Sequence, residues 1–250
     1  MELDSSWYLI LFIASIIGGL VGSLSGGAGM VTMPLLLLSG ISPLQALATN
    51  KLQACVGSLT SATRYYQSGL VDLKQSRALI AISVVFASLG ALSVQFVSLD
   101  FLAKALPFVM IGLGTYFLLS PNINNEDRAH SSEPHLYGSC ALASVYGGFM
   151  GVGIGSFILA ILVAVAGYGL SKALAHSRWI VFSINLSSTA FFLLGGQILW
   201  ILGTIMCVGQ MIGASLGAKL AIKHGSKIIR PAVIVLCFAI STQLLINEFF

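Results

Sequence analysis

Two basic residues stand inside long predicted helices, where a charge is costly. Lys51 lies about eight residues into a helix predicted to begin at residue 43, and Arg178 lies at a similar depth in one predicted from residue 170. At ~1.5 Å per residue, each cation reaches ~12 Å into a hydrocarbon core ~30 Å thick. No Asp or Glu lies inside a predicted helix core to pair with either cation. Two buried, unpaired cations predict a binding site for an anion.

The alternative is that neither cation binds a ligand. A long basic side chain can extend to the membrane surface, or its charge can interact with the C-terminal carbonyl groups of a helix. This alternative is stronger for Arg178, because Lys172 and His176 nearby are typical of a wetter interface.

Polar neighbours of both cations could donate hydrogen bonds to an oxyanion. Thr49 and Asn50 precede Lys51, and His176 and Ser177 stand in the same place before the second cation. Hydrogen bonds between helices are an equally good explanation for them. His176 could also titrate near neutral pH and couple transport to protons.

Glycine clusters interrupt the apolar segments that precede these two helices. Residues 7–38 are too many for one straight span and too few for two, and their glycines disfavour a continuous helix. A helix that restarts after a break offers free backbone N–H groups and the positive end of its dipole, which together bind anions. Close helix packing through glycine is the alternative. The predicted site comprises Gly26, Gly27, Ala28, Gly29, Thr49, Asn50 and Lys51 from the first half and Gly153, Gly155, Ser156, His176, Ser177 and Arg178 from the second.

A constant shift along the sequence, which we call the repeat shift, aligns much of the first half of the chain with the second. It places residues 86–92 on 213–219, two stretches that share the letters Ala-Ser-Leu-Gly-Ala, and it places Lys51 on Arg178. Many transporters are duplicated in this way. The sequence therefore predicts a first repeat over 1–119, a polar linker over 120–135 and a second repeat over 136–250.

Composition indicates the class of protein. Apolar residues make up 57% of the 250 residues and charged residues only 8%, whereas soluble domains carry about 25% charged residues. The long uncharged stretches exceed the ~20 residues of a spanning helix and lack the alternation of a membrane β-barrel. The sequence therefore predicts an all-α polytopic membrane protein with about 7–8 membrane segments, embedded in the lipid bilayer. Each repeat is predicted to have a glycine-broken re-entrant segment and three transmembrane helices, at 43–67, 76–97 and 101–119 in the first and at 170–194, 198–221 and 228–247 in the second.

The basic residues of the loops indicate how the repeats are oriented. If each broken segment crosses the membrane, these residues divide six to four between the two sides. If it enters and returns on one side, nine share a side and only Lys104 is opposite. Positively charged loops are cytoplasmic, so we expect inverted repeats with both termini on the periplasmic or extracellular side.

The sequence lacks the motifs of several classes of enzyme and metal-binding protein. The four cysteines have no CxxC spacing, and there is no HExxH metal motif, no Walker A lysine motif and no pair of carboxylates within the helices. We therefore expect neither enzymatic activity, nor a cofactor, nor a metal. The net charge of +4 is small and lies mostly in short loops, so a nucleic acid partner is not expected.

A family resemblance is carried by the first half. The stretches are Gly26-Gly27-Ala28-Gly29, Pro34, Gly40-Ile41-Ser42-Pro43, Ala46-Leu47-Ala48-Thr49-Asn50-Lys51 and Gly69-Leu70-Val71-Asp72. They resemble the TauE/SafE sulfite exporter family, also called the 4-toluene sulfonate uptake permeases, and the second half repeats them more loosely. The resemblance covers nearly the whole chain. It implies a bacterial inner-membrane transporter of sulfur-containing anions such as sulfite, sulfoacetate or other organosulfonates.

The second half departs from the pattern of that family. His176-Ser177-Arg178 stands where a Thr-Asn/Ser-Lys triplet is expected, and Ile161 replaces the proline that would match Pro34. We expect the second half-site to differ in shape or basicity, which affects the choice of substrate more than the transport role.

Residues and resemblance together predict a secondary transporter of a small anionic substrate that works by alternating access. The alternatives are a passive anion channel and, with less support, a membrane enzyme or assembly factor, for which no nucleophile, metal cluster or docking surface is visible. A homodimer is compatible with the sequence.

Overall fold

A computed structural model describes residues 4–93, 111–112, 115, 118–119, 126–127 and 133–249, and its regular structure there is helical throughout. The prediction of an all-α fold is confirmed for this part of the chain. Nine helices have bounds within it, namely α1 Ser5–Ser25, α2 Ala28–Leu38, α3 Pro43–Gln67, α4 Leu73–Ser93, α5 Glu133–Phe149, α6 Ile154–Ala164, α7 Leu170–Leu194, α8 Trp200–His224 and α9 Ser226–Phe249.

The observed bounds differ from the predicted ones at several ends. Helices α3 and α7 have the predicted bounds, whereas α4 begins three residues early. Helix α8 begins two residues later than expected and ends three later. Helix α9 extends two residues beyond each predicted end. The helix predicted over 101–119 and the linker predicted over 120–135 lie mostly outside the described residues.

Four of the described helices, α1, α4, α7 and α8, are long and apolar enough to cross a membrane. Helix α3 is equally long, with 25 residues, but its sequence is more polar. Helices α2 and α6 have 11 residues each, or ~16 Å at 1.5 Å per residue, which is about half of the hydrocarbon core. The chain is therefore a multi-pass membrane protein with two short apolar helices.

Helix α2 folds back along α1. Helix α1 ends at Gly26, whose φ of 95° reverses the chain and whose N–H donates to the Gly22 carbonyl at 2.8 Å. A Cβ atom on Gly22 would collide with Ala28 at the start of α2. Near the other end of α2, Leu36 packs in one cluster with Leu11 of α1. The glycines of this segment thus form a tight helical hairpin.

A similar break separates α5 from α6 in the second half. Gly151 and Gly153 have φ values of 75° and 77°, which a residue with a side chain rarely adopts. The Tyr146 hydroxyl donates to the Val152 carbonyl at 2.5 Å and holds this turn against α5.

Helices α3 and α7 pack against each other in opposite directions. Leu47 and Ala48, early in α3, share a cluster with Phe192, which is late in α7. Near the other end of α3, the Tyr66 ring lies 6.3 Å from the Trp179 ring in the first half of α7. The repeat shift places both ends of α3 on the corresponding ends of α7. The two matching helices are therefore antiparallel.

Helices α1 and α4 of the first half pack against helices of the second half. Helix α1 packs mainly against α8, and α4 packs against α5. Glycine permits both contacts, because a Cβ atom on Gly217 would overlap the Leu20 carbonyl, and one on Gly148 would overlap the Ala87 carbonyl. Small residues allow membrane helices to approach in this way. Helices of each half thus pack against helices of the other half.

Candidate functional site

A cavity lies where the two glycine breaks meet α3, α7 and α8. It is lined by both Lys51 and Arg178, and its described lining includes no Asp or Glu. Its volume is about 40 Å³ for the centres of water-sized spheres, which is room for roughly three water molecules. The structure therefore brings the two cations, which belong to different halves of the sequence, to one small polar space.

Lys51 belongs to α3 but contacts the break of the other half. Its side chain is only 1% exposed, and its ammonium donates a hydrogen bond to the Gly147 carbonyl in the last turn of α5. A Cβ atom on Gly151 would collide with the same ammonium. The charge of Lys51 thus faces the C-terminal end of α5, where the helix dipole is negative.

Arg178 makes the reciprocal contact from α7. It is 2% exposed, and its Nη1 donates to the Gly22 carbonyl near the end of α1 at 2.6 Å. Its Nη2 donates to the Gly155 carbonyl at 3.3 Å and to the Ser177 hydroxyl oxygen at 2.9 Å. Each cation therefore binds a carbonyl in the broken segment of the opposite half, as the carbonyl-capping alternative anticipated.

The two glycine breaks touch each other at the cavity. The backbones of Gly26 and Gly155 are so close that a Cβ atom on either would overlap the other. The Ser156 hydroxyl donates to the Ser25 carbonyl at 2.8 Å across the same contact. The caps of α2 and α6, Gly27 and Gly153, make no side-chain hydrogen bond to their helices. Both short helices therefore begin beside the cavity without a side-chain cap.

Asn50 is held in a defined orientation. Its Oδ1 accepts from the Thr32 hydroxyl at 2.7 Å and from Gln53 Nε2 at 2.8 Å. In this orientation the NH2 group of the amide keeps its donors for another partner. A Cβ atom on Gly29 would lie 3.0 Å from this Nδ2. Since Asn50 and Gly29 both line the cavity, an amide donor stands beside Lys51.

Thirteen site residues were predicted, and seven of them, including Gly27, Gly153 and Ser156, do not line the cavity. Six line the cavity, namely Gly26, Ala28, Gly29, Asn50, Lys51 and Arg178. Gly155 and Ser177 lie behind them as hydrogen-bond acceptors of Arg178.

Two of the predicted polar residues face away from the cavity. Thr49 accepts from the Leu199 N–H at 3.2 Å. His176 is buried, with its Nδ1 atom 2.5 Å from the Ser76 hydroxyl and its ring 5.3 Å from the Tyr168 ring. Their side chains are thus engaged elsewhere in the bundle.

Several residues that line the cavity were not among the predicted site residues. The most prominent is Gln210 of α8, which is 1% exposed. The signal was present, because an amide in the middle of an uncharged apolar run is as unusual as a glycine cluster. Asn185 of α7 also lines the cavity, on the same helix as Arg178. The remaining lining residues are Gly19, Gly22, Ser23, Ala54, Gly57, Ser58, Ser61, Met150, Gly151, Ile154 and Val181.

Comparisons with known proteins agree on a family. The family model described as "Sulfite exporter TauE/SafE" matches residues 11–244. A probable membrane transporter protein of Escherichia coli strain K12, YfcA, is 37% identical over 245 residues, which is 96% of this chain and 90% of that protein. A probable membrane transporter protein of Haemophilus influenzae is 34% identical over 250 residues, 99% of this chain and 98% of that protein. No solved structure matches the chain.

Proposed function

Because the chain belongs to the TauE/SafE sulfite exporter family, we propose that it is a secondary transporter of a small sulfur-containing anion such as sulfite, sulfoacetate or another organosulfonate. The proposed location is the bacterial inner membrane, with both termini on the periplasmic side. The relatives are named only as probable membrane transporter proteins, so the substrate class rests on the family description and on the site.

The observation that carries the proposal is the pair of buried cations at one cavity. Lys51 and Arg178 have positive charges within the apolar bundle, and the described lining contains no carboxylate to neutralise them. Buried charges in membrane proteins are costly and mark functional sites. A small anion is the ligand that would neutralise both cations at once.

Inverted repeats are the proposed basis of movement. The antiparallel packing of α3 on α7 supports this orientation. The neighbouring Ser76 and His176 add support, because they bring the first turn of α4 and the second turn of α7 to the same side. In an inverted repeat, one broken helix approaches the site from each side of the membrane. The proposed gates are therefore the α1–α2 and α5–α6 breaks.

We propose that the anion exchanges partners with the protein when it binds. The ammonium of Lys51 donates to the Gly147 carbonyl, and the Arg178 guanidinium donates to the Gly22 carbonyl. An oxyanion offers both cations hydrogen bonds in which donor and acceptor are both charged, and these are stronger than bonds to a neutral carbonyl. Its binding would release these carbonyls and loosen the two breaks, so that one of them could open.

The membrane potential alone can drive the anion in one direction, out of the cytoplasm. An inside-negative potential favours exit of an anion from the cytoplasm by ~2.3 kcal/mol per charge per 100 mV. Export can therefore proceed as uniport, whereas uptake of the same anion would need a coupled ion.

The purified protein in liposomes is the test of this function. With sulfite, sulfoacetate, taurine, thiosulfate and sulfate supplied in turn, we expect saturable uptake and counterflow for at least one sulfur oxyanion. Empty liposomes are the control. Flux that does not saturate and shows no counterflow would favour the channel, and the absence of flux for the whole panel would contradict the proposal.

Topology is tested with single cysteines at exposed positions near opposite ends of two matching helices, α4 and α8. Lys74→Cys lies at the start of α4 and Lys223→Cys at the end of α8. In a background with the four native cysteines replaced by serine, an impermeant maleimide is expected to label both from the cytoplasmic side of oriented vesicles. Parallel repeats would place these residues on opposite sides, so labelling from two sides would contradict inversion.

A further inference from the structure

Gln210 of α8 lies among three glycines of neighbouring helices. A Cβ atom on Gly57 of α3 would collide with its Oε1. Cβ atoms on Gly18 and Gly19 of α1 would lie 3.2 Å from its Nε2 and 3.1 Å from its Oε1. The amide therefore lies in a space that larger side chains would close, and it lines the same cavity as Lys51 and Arg178.

The amide nitrogen of Gln210 is buried and makes no hydrogen bond within the described part of the chain. The residue as a whole is 1% exposed. Buried polar atoms almost always have a partner, because an unpaired one loses its hydrogen bonds to water without replacement. A ligand bound in the cavity would supply the partner that this amide lacks among the described residues.

The matching position in the first half has no such unpaired group. The repeat shift relates Gln210 to Ser83 of α4. Ser83 is also fully buried, but its hydroxyl oxygen accepts from the Ser144 hydroxyl at 2.9 Å. The repeat thus satisfies this polar position internally in one half and leaves it unsatisfied in the other. A shared packing role does not explain that difference.

We propose that Gln210 contacts the transported anion through its amide and selects for an oxyanion with several oxygen atoms on one centre. The inference rests on the proposed transport function. Lys51 and Arg178 would neutralise the charge, while the amides of Asn50 and Gln210 donate directed hydrogen bonds. These four residues belong to α3, α7 and α8. The three oxygen atoms of a group such as –SO3⁻ would offer an acceptor to each of these helices. A spherical halide would gain less from such directed donors.

The test replaces the amide with an apolar side chain of similar length. Purified Gln210→Met, Gln210→Glu and wild-type proteins are compared in liposomes for sulfite and chloride uptake. Ser83→Ala is the matched control at the equivalent position of the repeat. We expect Gln210→Met to raise the KM for sulfite about tenfold or more, which is the loss of one hydrogen bond to a charged group. Gln210→Glu is expected to abolish sulfite uptake by repulsion, and Ser83→Ala to leave the KM for sulfite within twofold.

A stability measurement separates a ligand contact from a structural role. Because the amide nitrogen has no internal partner, the Tm of ligand-free Gln210→Met should equal or exceed the wild-type value, and the rise in Tm on adding sulfite should shrink. A lower ligand-free Tm with an unchanged sulfite shift would overturn the inference.

The outcomes for the two proposals can be told apart. If wild-type protein transports sulfite while Gln210→Met keeps its KM and its preference over chloride, only the role of Gln210 is wrong. If wild-type protein transports no anion of the panel, the proposed function is wrong and the inference falls with it.

Discussion

Replacing Lys51 with alanine is expected to reduce saturable anion transport by at least ~100-fold. Its ammonium is buried at the cavity, and its hydrogen-bond partner among the described residues is a backbone carbonyl. Removing one member of a buried ionic contact costs ~3–5 kcal/mol, and every 1.4 kcal/mol is tenfold in affinity. Initial rates of sulfite uptake into proteoliposomes, over a range of concentrations, measure the loss.

Lys51→Gln distinguishes the two roles that Lys51 could have. Glutamine removes the charge but keeps an N–H donor that can still bond the Gly147 carbonyl. If Lys51 only caps α5, this variant should transport like wild type. If Lys51 neutralises the anion, it should fail nearly as badly as Lys51→Ala. Wild-type transport by both variants would remove Lys51 from the site.

Matched controls for charge are available in the same protein. Lys223 is exposed near the end of α8, so Lys223→Ala removes a positive charge of the chain without touching the cavity. We expect its uptake kinetics to stay within about twofold of wild type, because charges exposed to solvent contribute little. Lys51→Arg keeps the charge but needs more room than the small cavity offers, and intermediate activity is expected from it.

Long helices were predictable because their signals are spread over many residues. The bounds of α3 follow from Pro43 at its first position and from the glycine beyond its end, and a matching glycine follows α7. Helix α4 began three residues earlier than predicted, because Asp72 accepts from the Lys74 N–H and supports the first turn. Individual ends depend on such single contacts.

The cavity was predictable in outline but not in its hydrogen bonds. The charges of Lys51 and Arg178 are costly enough in lipid to mark a site from sequence alone. The Gly147 and Gly22 carbonyls that they bind lie 96 and 156 residues away, and no local pattern reports such contacts. Thr49 and His176 were included because they neighbour the cations in sequence, yet adjacent residues of a helix point in different directions. Gln210 was missed because a lone amide in an apolar run predicts either a ligand contact or an interhelical bond.

The contact between the two breaks gives the second large effect. Gly26→Ala is expected to lower the Tm and abolish transport, since the new Cβ atom would overlap the Gly155 backbone. Two costs are combined in this variant, because Gly26 also has a φ of 95°, which is unfavourable for alanine. Unfolding in detergent and uptake into liposomes measure the two effects separately.

The Gly69→Ala and Gly155→Ala variants separate the cost of backbone strain from the cost of steric overlap. Gly69 has a φ of 76°, but its Cβ atom would meet nothing within 4 Å, so its alanine variant carries only the backbone strain of ~1–2 kcal/mol and should still transport. Gly155 lies in the first turn of α6 with no such strain, yet its Cβ atom would overlap Gly26. If direct contact of the breaks is what transport requires, Gly155→Ala must fail like Gly26→Ala while Gly69→Ala works. Activity in Gly155→Ala would mean that the breaks can separate without loss of function.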